Sequence, residues 1–176
     1  MNALSLAEEI QSSQTHFDAG VLEEFWKLLA SPQPKVIDAG CGAGLDLRWF
    51  HARGASVLGL DSRDDLLSVA RRSGASVEKR DLRLWAPQAG AWDGVWFHRV
   101  VTHFSREELQ RVLLAFFKAL RTGGVLFLSY PLEGWTPDAM GALLLQCGFE
   151  TLQVAERTVD GALWRAVLAR RTGGQS

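Results

Sequence analysis

The chain has 176 residues, 47% of them hydrophobic, and a formal net charge of −1. That allows one well-buried core but not a second full domain, and the near-neutral balance without runs of like charge gives no support to a general nucleic-acid or membrane-surface binder. No apolar run is long enough to span a bilayer and the N-terminus lacks a basic start ahead of an apolar core, so a cytoplasmic location is the default. In chain order, residues up to about 30 read as helical, because Val21, Leu22, Phe25, Leu28 and Leu29 recur at the spacing of one helix face. Ser31-Pro32-Gln33-Pro34 stops that helix. Just before it, Phe17 packs the helix and Asp18 caps it on the simplest reading.

The next stretch, Val36-Ile37-Asp38-Ala39-Gly40-Cys41-Gly42-Ala43-Gly44, runs from a β-forming pair into alternate glycines, and Leu45 to Phe50 then starts a helix. A strand, tight turn and helix of this kind brings backbone N–H groups and the helix's positive end against a ligand. A dinucleotide fingerprint is Gly-x-Gly-x-x-Gly or Ala, and here Leu45 occupies the position of the last small residue. No Lys follows as in a phosphate-binding P-loop. With Asp38 in front, the stretch closely resembles the first motif of the class I, Rossmann-like S-adenosylmethionine-dependent methyltransferases. That resemblance implies that Asp38, Gly40, Cys41, Gly42 and Gly44 meet the cofactor and that the N-terminal 1–30 segment folds over the cofactor edge. Without it, the turn reads as a tight strand-to-helix connection.

Ser56-Val57-Leu58-Gly59-Leu60 reads as a second buried strand ending at Asp61, with Gly54 closing the element before it. An acidic residue roughly 20 positions after the first glycine suits ribose hydroxyls, and the resemblance assigns Asp61 to that role with Ser62 beside it. The competing role for Asp61 is capping the next helix, for which Ser62 with an acid three residues on is itself suited. A third strand near Ala75 to Lys79 leads to Arg80-Asp81-Leu82, and in the resembled family an acidic residue and its successor here receive the adenine ring. Glycine turn, Asp61 and Asp81 fall at the carboxyl ends of successive strands, the edge where open α/β sheets bind ligands.

Trp92 to His98 reads as a fourth strand and resembles the family's pattern of an aromatic, an Asp and a hydrophobic run. His98 then emerges toward the cofactor's methionine part and the substrate, where a neutral imidazole can accept a proton during methyl transfer. His103 follows as a substrate-side residue. For both, hydrogen bonding to backbone or solvent is the competing assignment. Amino-methylating relatives acting on DNA or protein often carry Asp or Asn and two prolines at this strand end, and His98-Arg99-Val100-Val101 lacks them.

Ser105-Arg106-Glu107-Glu108 is a capping box ahead of a packing helix, which Gly123-Gly124 terminates before a fifth buried strand, Val125 to Tyr130. Tyr130 and Trp135 are candidate substrate contacts, with core packing as the alternative for each. Only Pro131 to Thr136 separates this strand from a helix that starts at Pro137 and ends before Gly148. Phe149 to Thr158 and Leu163 to Arg170 form a hairpin across Asp160-Gly161. The tail 171–176 is expected to be flexible.

The expectation is a single α/β domain over 1–176: a three-layer Rossmann-like methyltransferase fold, its seven-stranded sheet mostly parallel with a C-terminal antiparallel hairpin. The resemblance implies S-adenosylmethionine as cofactor, an unidentified small-molecule acceptor, and His98 as proton acceptor. A non-catalytic S-adenosylmethionine-binding or regulatory protein is the alternative, and Leu45 and the hairpin disfavour a nucleotide-dependent oxidoreductase. Cys41 and Cys147 form no CxxC pair and no third ligand accompanies the histidines, so no metal is assigned.

Overall fold

The computed structural model describes residues 19–173, so the expected roles of Phe17 and Asp18 lie outside the described residues. Its elements are helix α1 (Ala19–Leu28), β1 (Lys35–Ala39), α2 (Leu45–Ala52), β2 (Ser56–Asp61), α3 (Asp64–Ala70), β3 (Ser76–Lys79), β4 (Trp92–Phe97), α4 (Arg106–Ala119), β5 (Leu120–Pro131), α5 (Pro137–Gln146), β6 (Phe149–Val159) and β7 (Ala162–Arg171). The strands form one seven-stranded sheet in the order β3-β2-β1-β4-β5-β7-β6. β3, β2, β1, β4 and β5 run parallel, whereas β7 is antiparallel to both β5 and β6. The order reverses between β1 and β4, which opens a crevice at their carboxyl ends.

Alternation along the central strands loads both faces of the sheet. Val95 and Phe97 of β4, with Leu126, Leu128 and Tyr130 of β5, pack beneath α4 and α5. Trp96 and Phe127 turn the other way and stack at 3.8 Å, joining Phe25 of α1 and Phe50 of α2. Helices therefore cover both faces, giving three layers. α1 lies flat on the second face: Phe25 is fully buried, and its ring occupies the space a side chain at Gly94 would need. None of the described α1 residues lines the crevice.

The boundaries differ from expectation in three places. α4 begins with the expected capping box, Ser105 Oγ accepting the Glu108 N–H at 3.2 Å and the Glu108 carboxylate the Ser105 N–H at 2.8 Å. Its end is not made by glycine, because Leu120 already turns extended and pairs with Trp92. The glycine pair instead lies in an irregularity of β5, after which Val125 resumes pairing with Gly94. At the C-terminus, Arg171 belongs to β7, and the Thr172 N–H and hydroxyl donate to the Gly148 carbonyl at 3.0 and 2.8 Å. Thr172 is tied to the turn after α5 and Arg171 pairs with Phe149 of β6, so the expected flexible tail does not begin at 171. Finally, Ser62 does not cap α3. Its N-cap is Arg63, without a side-chain cap bond, and the Asp61 carboxylate takes the Arg63 N–H instead.

Candidate active site

A crevice of about 700 Å³ opens at the carboxyl ends of β1, β2, β3 and β4, within the usual range for small-molecule sites. It brings together Asp38, Gly40, Cys41, Gly42, Asp61, Ser62, Asp81, Leu82, His98 and His103. Three of the candidates lie elsewhere. Gly44 stands behind the turn as the N-cap of α2, at φ 82°, where a side chain would meet the Ala70 backbone at 3.0 Å. It shapes the turn and does not line the crevice. Tyr130 is fully buried because β5 continues pairing with β7 through Pro131, which leaves Tyr130 opposite Arg165 within the ladder and on the α4–α5 face. Trp135 packs against that same core, with the Arg106 guanidinium 5.8 Å above its ring. Neither expected substrate contact lines the crevice, and both pack against this core.

The glycine turn is held by its neighbours. The Gly40 and Cys41 N–H groups donate to the Leu60 carbonyl at 2.7 and 3.0 Å, and the Gly42 N–H donates to Asp61 Oδ2 at 3.0 Å. Gly40 has φ 77°, and a Cβ there would lie 2.6 Å from a Val100 methyl. Only glycine allows the loop after β4 to sit that close. Asp61 Oδ1 accepts the Arg63 N–H at 2.9 Å, so one carboxylate organises both the turn and the start of α3.

Asp81 accepts the Arg83 N–H at 3.0 Å and its guanidinium Nε at 2.9 Å. The guanidinium, helped by that backbone bond, holds the Asp81 carboxyl below the usual carboxylate range.

The interior end of the crevice is acidic and buried. Asp38 is 3% exposed and its Oδ2 has no hydrogen-bond partner among the described residues. Burial, with the carboxylates of Asp46 and Asp61 nearby, pushes its carboxyl well above the usual range, and His98 opposes that rise. Burial also pushes the Cys41 thiol up, away from thiolate. Asp46, in the first turn of α2, accepts the Trp96 indole N–H at 2.7 Å and faces His98 Nδ1 at 3.1 Å, both through Oδ2. Arg99, next after His98, has φ 58°, a left-handed conformation uncommon outside glycine. Its N–H donates to the buried Ser129 hydroxyl at 2.9 Å.

Asp46, Arg83 and Arg99 were absent from the sequence-based set. Asp46 carried one usable signal, an acid on the first turn of a helix behind a glycine turn. Arg83 carried none beyond lying two residues past Asp81.

A parallel sheet with a reversed antiparallel end, a glycine turn and acids at successive strand ends together define a Rossmann-like fold whose crevice suits an adenosyl ligand. The family model described as a methyltransferase domain matches residues 36–124, and the chain belongs to the class I S-adenosylmethionine-dependent methyltransferases. It is 34% identical over 102 residues to a ubiquinone biosynthesis O-methyltransferase of Xanthomonas axonopodis pv. citri, a match spanning 54% of this chain and 42% of that protein. The match thus spans less than half of that relative. A TehB-like S-adenosylmethionine-dependent methyltransferase from Corynebacterium glutamicum superposes with a TM-score of 0.80 at 18% identity, covering 97% of this chain and 98% of that one. A magnesium protoporphyrin IX methyltransferase from Synechocystis, solved with bound S-adenosylmethionine, does so with a TM-score of 0.80 at 19% identity over 94% and 83%.

Proposed function

We propose that this protein is an S-adenosylmethionine-dependent methyltransferase acting on a small-molecule acceptor in the cytoplasm. The observation that carries the reading is the convergence of Asp38, the glycine turn, Asp61 and Asp81 on one crevice of a chain that belongs to this family.

The residues fit the cofactor. Asp38 Oδ2, buried and without a partner among the described residues, calls for a donor, and an α-ammonium group supplies one. Asp61 has lone pairs beyond those its two backbone donors use and suits vicinal hydroxyls. Asp81 and the Leu82 backbone serve the adenine edge, Ser62 stands beside the ribose acid, and Gly40, Cys41 and Gly42 form the floor. Gly44 belongs to this set through the turn it shapes. When bound, S-adenosylmethionine supplies an electrophilic methyl group on a sulfonium. The protein's share is alignment, exclusion of competing nucleophiles, and one proton acceptor, His98, with His103 at the crevice mouth on the acceptor side. The high-pKa Cys41 thiol is a poor nucleophile in such a site. An O-methyltransferase among the relatives supports a hydroxyl-bearing acceptor of small size.

Calorimetry with S-adenosylmethionine, S-adenosylhomocysteine and NAD tests the cofactor assignment, with binding expected for the first two only. Transfer of labelled methyl into extracted metabolite pools then separates an enzyme from a non-catalytic binder. NAD binding alone would overturn the reading.

A further inference from the structure

The crevice carries charges of both signs, sorted by depth. Carboxyl groups of Asp38 and Asp46 lie buried at its interior end, whereas Arg48, Arg63, Arg72, Arg80 and Arg83 line it from exposed positions. Three of these arginines are already engaged: Arg63 with Asp65, Arg80 with Glu78 at 3.0 Å, and Arg83 with Asp81 at 2.9 Å. Arg48 and Arg72 pair with no carboxylate and no other group among the described residues.

The fold sets these two against each other. A side chain at Gly44, the N-cap of α2, would meet Ala70 at 3.0 Å, and one at Gly74 would meet His51 Nε2 at 3.4 Å. α2 therefore runs beside residues 70–74, which include the single 3₁₀ turn Arg71–Ser73 after α3. Arg48 stands between Gly44 and His51 on one side of this seam, and Arg72 between Ala70 and Gly74 on the other. Leu45 precedes Arg48 by one helical turn, and Leu66 and Val69 precede Arg72 at the same spacing, so each arginine continues an apolar strip that lines the crevice. Like charges facing across a seam repel. A guanidinium is planar, permanently charged and offers parallel N–H donors that match the oxygens of an anion. Two such forks on opposite sides of a seam suit one carboxylate or phosphate, which offsets both charges.

We propose that Arg48 and Arg72 form a clamp for an oxyanion, a carboxylate or phosphate group carried by a molecule bound in the crevice. The carboxyl-lined interior offers that group no comparable site, so it stays between α2 and α3 while uncharged or cationic parts reach inward. The clamp stands on the arginines alone; which molecule carries the anion rests on the proposed methyl transfer, for which the sources are the acceptor and the cofactor's own carboxylate.

The test titrates the full chain, labelled with ¹⁵N at arginine, with inorganic phosphate at constant ionic strength and reads the Nε–H resonances. Arg48 and Arg72 should shift together along one saturating curve. Arg71 adjoins Arg72 but does not line the crevice, so it should show only the weak drift of an exposed charge. Arg48→Gln or Arg72→Gln should weaken phosphate binding at least ~10-fold, and Arg71→Gln should not. All three positions are exposed, so these changes leave the core untouched. Three arginines that drift alike, or curves unaltered by the substitutions, overturn the proposal. The source of the anion is read with the variant carrying both substitutions, Arg48→Gln and Arg72→Gln. If the acceptor supplies it, phosphate and S-adenosylhomocysteine bind together, and the variant keeps its affinity for S-adenosylhomocysteine within about threefold. The labelled product made from metabolite pools is then retained on an anion exchanger, and the variant no longer makes it. If the cofactor supplies it, S-adenosylhomocysteine displaces phosphate and binds the variant at least ~10-fold more weakly, whereas 5′-methylthioadenosine, which lacks the amino-acid end, binds it unchanged. Failure of the functional reading looks different: no binding of S-adenosylhomocysteine and no transfer, with the phosphate response of Arg48 and Arg72 intact.

Discussion

Replacing Asp61 by alanine removes an acceptor that does two things at once. In the ligand-free protein its carboxylate takes the Gly42 N–H at 3.0 Å and the Arg63 N–H at 2.9 Å; in the proposed complex it also takes a ribose hydroxyl on each oxygen. Hydrogen bonds to a charged group contribute about 1.5–3 kcal/mol each, so losing two ligand bonds should weaken binding by about 3–6 kcal/mol. At ~1.4 kcal/mol per factor of ten, the dissociation constant should rise by a factor of at least ~100. The lost backbone bonds carry a separate cost, on the order of 1–3 kcal/mol of stability if the two N–H groups find no water. Calorimetry with S-adenosylhomocysteine, beside urea denaturation of the same variant, separates the two effects. Asp61→Asn, which keeps one acceptor oxygen, should fall between. A dissociation constant within about threefold of the original for Asp61→Ala, in a variant that remains folded, would refute the assignment of Asp61 to the ribose.

Asp38 predicts a pH dependence. Its carboxyl is held well above the usual range in the native protein, so between the ordinary carboxylate value and the native one the folded state keeps a proton that the unfolded chain has released. Stability of the ligand-free protein should therefore fall as pH rises through that interval, and Asp38→Asn should flatten the slope in urea titrations. An ammonium placed beside Asp38 favours its ionised form, so binding of S-adenosylhomocysteine should release a proton, detected as a dependence of calorimetric heat on the ionisation heat of the buffer. Gly44→Ala should destabilise by about 1–2 kcal/mol from the left-handed backbone alone, with more from contact with Ala70, measured by thermal denaturation. Tyr130→Phe should leave cofactor affinity unchanged and change stability by no more than about 1 kcal/mol, because the hydroxyl lies beside the Arg165 guanidinium in the β5–β7 ladder and away from the crevice.

Local physics made most of the scaffold readable. Alternate glycines mark a turn that takes positive φ at Gly40, Gly42 and Gly44, which other residues resist, the capping box at Ser105 and Glu108 marks a helix start by chemistry rather than hydropathy, and Asp160-Gly161, both at positive φ, supplies the hairpin turn. Acids at strand ends were readable because topology, once inferred, lines those ends up. What escaped was decided by contacts distant in sequence. Asp46 looks like an ordinary helix-start acid until β4 places an indole and an imidazole opposite it. Tyr130 looked like a strand terminus until pairing with β7 carried the strand one residue further. The role of Ser62 passed to Asp61 because a carboxylate with two oxygens serves the turn and the helix together.

The bond from the Arg99 amide to the Ser129 hydroxyl ties β5 to the corner beside His98 although no β5 residue touches the crevice. Ser129 is fully enclosed and sits opposite Ala166 of the hairpin. A change of bulk at either position has no solvent to expand into, and the nearest compliant element is the tight left-handed corner that sets where the imidazole sits. Drift in the antiparallel half of the sheet is thereby coupled to the placement of His98 at the crevice, and the pair 129 and 166 would be expected to vary together rather than singly.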